Sequence, residues 1–301
     1  MAITLESLII RNSGKVGHST AASTDSPKLD LTVANLVVEE GSSINVYARG
    51  LSYSGSGTRY GGSHGGYGGA YTSGEYVYGS PNEPHGDIYI PTDFGSGGNY
   101  YDGKGSLGGG AIKLRVTNEL VLDGSISANG QSIWGGGAGS GGSIWLDINV
   151  LRGSGSISAN GGNATYRGGG GSGGRVAVYY QNVDGFDFDN VFSQGGTSSG
   201  ATTGGAGTIY IKDKAQSKGV IRIDNGDLDP SKSGITKLSG TIADDIEVNR
   251  ANIKIEDTDA GDPAVFGTIS LTNSLLVQES GLTLENLTMS GGTWVQDGEL
   301  T

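Results

Sequence analysis

The strongest constraint on this chain is the recurrence of whole stretches of sequence at intervals of 31 or 32 residues. The first stretch passes through Gly109-Gly-Ala-Ile-Lys-Leu, Leu120-Val-Leu-Asp-Gly124, Ile126-Ser-Ala-Asn-Gly130 and Gly135-Gly-Gly-Ala-Gly-Ser140. The second passes through Gly141-Gly-Ser-Ile-Trp-Leu, Leu151-Arg-Gly, Ile157-Ser-Ala-Asn-Gly161 and Gly168-Gly-Gly-Gly-Ser172. A third opens at Gly173-Gly-Arg-Val-Ala-Val-Tyr-Tyr180 and reaches Ser193-Gln-Gly-Gly196, after which Gly207-Thr-Ile-Tyr-Ile211 opens a fourth. A unit of this length cannot close a core alone and must stack on its neighbours. Each holds about three short strand candidates, and Asn129-Gly130 and Asn160-Gly161 suit corners that need a positive backbone angle.

Fifty-eight glycines with only 35% hydrophobic residues would otherwise suggest disorder. Ala111-Ile-Lys-Leu-Arg-Val116 and Ile144-Trp-Leu-Asp-Ile148, however, alternate apolar and polar side chains with the period of a half-buried strand. Glycine lacks a strict period of three and there are only six prolines, which excludes collagen. The expected fold is all-β: a right-handed parallel β-helix with glycine-rich loops and one long insertion.

An earlier unit emerges at Val37-Val-Glu-Glu-Gly41, which approximately matches Leu120-Val-Leu-Asp-Gly124, and at Val46-Tyr-Ala-Arg-Gly50, which matches Ile126-Ser-Ala-Asn-Gly130. Residues 51–108 then stand as the insertion within a glycine-rich β-helix region spanning 1–218. Residues 219–301 read as a continuation in plainer coils, among them Val220-Ile-Arg-Ile-Asp and Leu282-Thr-Leu-Glu-Asn-Leu287. The last coil would leave strand edges open, which fits a fragment of a longer helix, joined to further β-helix domains, or a capped homotrimer.

Gly139-Ser140-Gly141-Gly142-Ser143-Ile144, Ile157-Ser-Ala-Asn-Gly-Gly162 and Gly169-Gly-Gly-Ser-Gly-Gly-Arg-Val176 resemble glycine-rich parallel β-helix modules of large bacterial cell-surface or secreted proteins. Gly61-Gly-Ser-His-Gly-Gly-Tyr-Gly-Gly69 resembles a feature of the same modules, and the likeness covers roughly residues 32 to 215. It implies a fold and an extracellular or bacterial cell-surface location, but no settled activity. Pectate and alginate lyases, polygalacturonases, phage tailspikes and adhesins also use β-helices, so a step from fold to activity is analogy.

A net charge of −12 argues against a nucleic-acid partner, because no basic stripe is available to displace counterions. There are no cysteines, so no disulfide framework or thiolate metal site can form. No stretch approaches the length needed to cross a membrane as a helix.

Nine of the 14 tyrosines and two of the three histidines fall within the insertion. Tyrosine offers a rigid apolar face with a polar tip at modest ordering cost, which suits a sugar or protein contact, although a long loop can use the same side chains to pin itself down. The candidate ligand-binding residues are Arg59, Tyr60, His64, Tyr67, Tyr76, Tyr78, His85 and Tyr100 in the insertion, with Trp134, Tyr166 and Arg167 extending them along one edge. Glu75, Asp87 and Asp93 are hard oxygen donors that could hold calcium if they converged with backbone carbonyls. His64 and His85 are weaker candidates for zinc. Neither an EF-hand nor a Gly-Gly-x-Gly-x-Asp repeat is present.

The leading expectation is a noncatalytic extracellular module that binds polysaccharide or a cell-surface glycan, or serves in an adhesin. A polysaccharide lyase or glycoside hydrolase is the alternative with chemistry, and no catalytic motif selects either reaction. A structural spacer of a surface protein or fibre is the third reading, and in that case the tyrosines should pack inward with no cleft beside them.

Overall fold

The computed structural model describes residues 2–53, 59–70, 72–73, 76–77, 82–99, 105–256, 264–279 and 281–296. Among these, the strands up to residue 122 are β1 (Ile3–Ile10), β2 (Lys15–Val16), β3 (Leu29–Val38), β4 (Ser43–Asn45), β5 (Thr72–Ser73), β6 (Tyr76–Val77) and β7 (Ala111–Leu122). There follow β8 (Ser125–Ser127), β9 (Ile133–Trp134), β10 (Ser143–Arg152), β11 (Ser156–Ser158), β12 (Ala164–Thr165), β13 (Arg175–Asp184), β14 (Val191–Phe192) and β15 (Thr208–Asp213). The remainder are β16 (Val220–Asp224), β17 (Ile235–Ser239), β18 (Thr241–Ile242), β19 (Asp245–Asn249), β20 (Asn252–Glu256), β21 (Ala264–Gln278) and β22 (Leu282–Gln296). The domain is all-β, and no helix among the described residues is long and apolar enough to cross a membrane.

Alternation builds the first core. Leu31, Leu114, Leu146, Val178 and Ile211 lie side by side on β3, β7, β10, β13 and β15, and all are buried. From a small parallel sheet ordered β14-β11-β8-β4-β2, Ile44, Ile126, Ile157 and Val191 complete the same apolar cluster. One irregularity keeps the rows aligned: β7 carries an extra residue around Thr117 and Asn118, after which Leu120 faces both Leu36 and Leu151. The register also corrects the alignment read from the sequence, because Leu36 and not Val37 opposes Leu120, and Ile44 and not Val46 opposes Ile126.

The expected right-handed parallel β-helix is not the architecture. The main sheet has 13 strands of mixed direction, ordered β1-β3-β7-β10-β13-β15-β16-β19-β21-β20-β17, with β18 and β22 also paired to β21. Its ladder reverses where β15 meets β16 antiparallel, with Tyr210 opposite Ile221 and Ile209 opposite Arg222. Opposed residues share a face of a sheet. Ile221 therefore lies on the face of Trp145, Ala177 and Tyr210, opposite to that of Ile209 and Ile211. These outward residues of the first half join Ile221, Ile246, Ile269 and Phe266 in a second core. For the plainer segments beyond residue 219, burial has thus changed sides of the sheet.

The glycine-rich stretches are a structure of their own rather than loops. In 137–142, the Ala138 and Gly141 amides donate to the carbonyls of Gly169 and Ser172, those of Gly137 and Ser140 to Asn99 and Ser96, and those of Gly139 and Gly142 to Gln131 and Ala128. In 169–174, the same period of three sends pairs of amides to Arg59 and Gly62, to Thr202 and Gly205, and to Gly162 and Ala159. Three residues per turn is the polyproline II period, so each segment can hydrogen-bond neighbours in three directions. The glycines follow from that packing. A β-carbon on Gly137 would fall on the Tyr60 carbonyl oxygen, and one on Gly171 on that of Gly139.

Asn129, Gly130, Asn160 and Gly161 also depart from expectation, since none has a positive φ. Gly130 and Gly161 are glycine because the carbonyls of Gly139 and Gly171 occupy the space a side chain would need. The insertion takes part in this packing. Residues 61–66 are buried within the glycine layer, and the segment 82–94 lies over the outer face of the main sheet, where Tyr89 meets Tyr210 edge to face at 4.8 Å.

Candidate functional site

The two exposed aromatic residues named outside the insertion come together. Thr165 pairs with Trp134 in the short parallel sheet of β9 and β12, and the amides of Ile133 and Gly135 donate to Asn163 and Thr165 at 2.9 and 2.8 Å. Directly after β12, Tyr166 and Arg167 adopt left-handed conformations, with φ of 58° and 65°. Such conformations cost a non-glycine residue roughly 1 kcal/mol or more and persist only where the surroundings hold them. Here the Tyr166 amide donates to Ser199 Oγ at 3.0 Å, and Ser198 Oγ donates to the Gly168 carbonyl at 2.6 Å.

The turn lays the Tyr166 ring parallel to that of Trp134, at a centroid distance of 5.3 Å and an interplanar angle of 5°. The Arg167 guanidinium stands 5.4 Å from the Tyr166 centroid. Trp134 is 67% exposed and Tyr166 50%. A surface of this kind offers flat apolar faces flanked by hydrogen-bond donors, and most aromatic rings of this size are not left so open.

Among the described residues, the insertion histidines lie in the interior instead. His64 is fully buried, its Nδ1 donating to the Gly141 carbonyl at 2.8 Å while Ser143 Oγ stands 3.5 Å from Nε2. Burial holds its pKa well below the ordinary histidine value, and the neighbouring His85 and Arg175 add to the effect. His85 lies 4.6 Å from His64, ring to ring, and its Nε2 is 3.2 Å from the Phe94 carbonyl oxygen. Arg175, only 5% exposed, clamps this segment by donating from Nε to the His85 carbonyl at 2.8 Å and from Nη1 to Thr208 Oγ1 at 3.1 Å.

Tyr67 donates to Glu83 at 2.7 Å, and Lys237 bridges Glu83 and Glu256. Burial, then the Glu83 hydrogen bond, pushes the Tyr67 phenol up to about 12. Arg59 and Tyr60 are half-buried, and their carbonyls accept from Gly169 and Asn99 within the glycine layer. Asp87 caps its own turn, accepting the amides of Tyr89 and Ile90 at 2.7 Å, while Asp93 sits 3.9 Å from Lys28. Glu75, Tyr78 and Tyr100 lie outside the described residues, as does the side chain of Tyr76. Among the described residues, no three His, Asp or Glu side chains converge as a metal centre would require.

Sequence reasoning missed a cleft of about 720 Å³, lined in part by Asn160, Asn163, Gln194, Asn225, Asn249 and Arg250. Asn163 is three residues before Tyr166, so the cleft begins beside the aromatic pair. The signal is present in the recurring asparagines of Ile-Ser-Ala-Asn-Gly, a residue type that equally suits turns.

No family model matches the chain, and neither a curated protein nor a solved structure matches it. The glycine-rich stretches that resemble bacterial surface modules belong here to a mixed all-β domain, so the resemblance is corrected along with the fold it implied.

Proposed function

We propose that this protein is a noncatalytic polysaccharide-binding module, of the kind used at a cell surface or in an adhesin, and that Trp134 and Tyr166 are its contact platform. The observation that carries the reading is the parallel, solvent-exposed stack of these two rings, held by a backbone turn that is costly to form. Sugar rings present apolar C–H faces and polar rims. An aromatic platform with the Arg167 donors at its side complements both. The stack could also serve only to shield the end of the short sheet, but shielding would not leave Trp134 two-thirds exposed.

Titration calorimetry of the intact protein against a panel of neutral and acidic oligosaccharides tests the proposal. Binding by the wild type, with affinity reduced at least tenfold in Trp134→Ala and Tyr166→Ala, is the expected result. A folded protein that binds no glycan, or a Trp134→Ala variant that binds as the wild type does, overturns it.

A further inference from the structure

We infer that the asparagine-lined cleft beside the platform is a second binding track of the same module, built for an uncharged, linear polysaccharide. The inference rests on the glycan-binding reading of Trp134 and Tyr166 and adds to it the class of glycan and a separate set of contacts.

The asparagines are the reason. Asn129 Oδ1 accepts the Asn160 amide at 2.7 Å, Asn160 Oδ1 accepts the Gln194 amide at 2.8 Å, and Asn163 Oδ1 accepts the Thr197 amide at 2.8 Å. A backbone N–H can be matched only by the amide oxygen, so the orientation of each side chain is set. Each Nδ2 is then left without a hydrogen bond among the described residues. Asn225 in the same cleft differs. It accepts from the Gly195 amide at 2.8 Å and donates to the Gly204 carbonyl at 3.2 Å, which uses both ends of its amide in the fold.

Asn129 lies outside the cleft lining, on the segment that neighbours that of Asn160; successive strands of a sheet are separated by about 4.8 Å, so these two donors recur at roughly that step and continue the row beyond the cleft. The step is about the length of one sugar ring in a linear chain. The spacing favours a polymer lying across the segments, in the direction in which Trp134 and Tyr166 also follow one another.

The charge of the cleft decides the class of polymer. Arg250 and Asp227 are the only charged side chains among its described lining residues, and they pair with each other at 2.7 Å. No cation remains for a uronate or a sulfate. Leu228 is the sole large aliphatic residue in the lining, so the site suits a polyol better than an apolar ligand.

The test removes the free donors, replacing each with an anionic acceptor. Asn160→Asp and Asn163→Asp keep a side-chain oxygen for the backbone amide and replace Nδ2 with a carboxylate oxygen. Binding of cello-, xylo- and manno-oligosaccharides and of an oligogalacturonate is measured by calorimetry, alongside melting temperature. Wild-type binding to at least one neutral oligosaccharide, weakened tenfold or more in the double variant at unchanged melting temperature, is expected. If the double variant is less stable, Asn163→Asp alone, at an exposed position, provides the comparison.

Wild-type affinity in these variants overturns the cleft assignment and leaves the platform reading to the Trp134→Ala result. Loss in the asparagine variants with none in Trp134→Ala overturns the platform and retains the cleft. Preference for oligogalacturonate over every neutral chain overturns the assignment to an uncharged glycan, and absence of all binding overturns both.

Discussion

His64 and His85 face each other with ring centroids 4.6 Å apart and planes inclined by 30°, and the Arg175 guanidinium is anchored to the His85 carbonyl. The Gly141 carbonyl can only accept, so the proton of neutral His64 resides on Nδ1. A second proton on His64 is disfavoured by burial first and by the neighbouring His85 and Arg175 second.

A pH dependence of stability follows. The folded state holds the His64 pKa well below 6.5, through burial first and the charges of His85 and Arg175 second, whereas the unfolded chain protonates near the ordinary value. Unfolded protein therefore binds the extra proton below pH 6.5. The contribution of neutral His64 is fully present above that pH and declines as pH falls toward the folded value, by up to about 1.4 kcal/mol per pH unit. Urea unfolding at pH 7.5, 6.0 and 5.0 measures the slope. His64→Asn, which can still donate to Gly141, should flatten it relative to wild type.

The glycine layer should resist even a methyl group. Gly137→Ala places its β-carbon on the backbone oxygen of Tyr60, which no rotamer change can relieve, and should cost about 3 kcal/mol or more. Gly185 provides the contrast: it has a φ of +81° but open space around it, so Gly185→Ala should cost only about 1 kcal/mol, from backbone strain. Equal losses in urea unfolding would contradict the close-packed arrangement.

Arg175 should be the clasp of the outer segment. Burial lowers its pKa to about 10, so it is still charged at neutral pH, and Asp87 and Asp93 favour that charge. Arg175→Met leaves the His85 carbonyl and the Thr208 hydroxyl without their donor, a loss of roughly 2 to 3 kcal/mol. Limited proteolysis should show faster cleavage within residues 82–94, and an unchanged cleavage rate would argue against the clasp.

Trp134 and Trp145 should divide function from stability. Trp145 is 9% exposed and packs in the second core, so Trp145→Ala should destabilise by about 3 to 5 kcal/mol. Trp134→Ala should cost under about 1 kcal/mol while removing glycan binding. Thermal and urea unfolding of both variants separates the two roles.

Much of the first core was legible because it depends on local alternation: Leu114, Val116, Ile144, Leu146 and Val178 point inward as their period of two requires. The site was legible only in part. The juxtaposition of Trp134 and Tyr166 is legible because both precede equivalent glycine runs, and the rings do meet. On chemistry alone His64 reads as a ligand contact, whereas its packing against residues far along the chain buries it inside the fold. The cleft went unread because a free amide nitrogen is visible only once its oxygen is seen to be in use.

By itself, the sequence determined that this chain is all-β and that runs such as 111–116 and 144–148 alternate, since both depend on neighbours one or two positions away. The tertiary structure decided that the sheet reverses at Tyr210 and Ile221, that burial then changes face, and that the glycines are required by the backbones pressed against them. Those facts depend on which distant segments lie side by side. A run of glycines has no side chain with which to specify its neighbours, so only the assembled packing shows what each one is for.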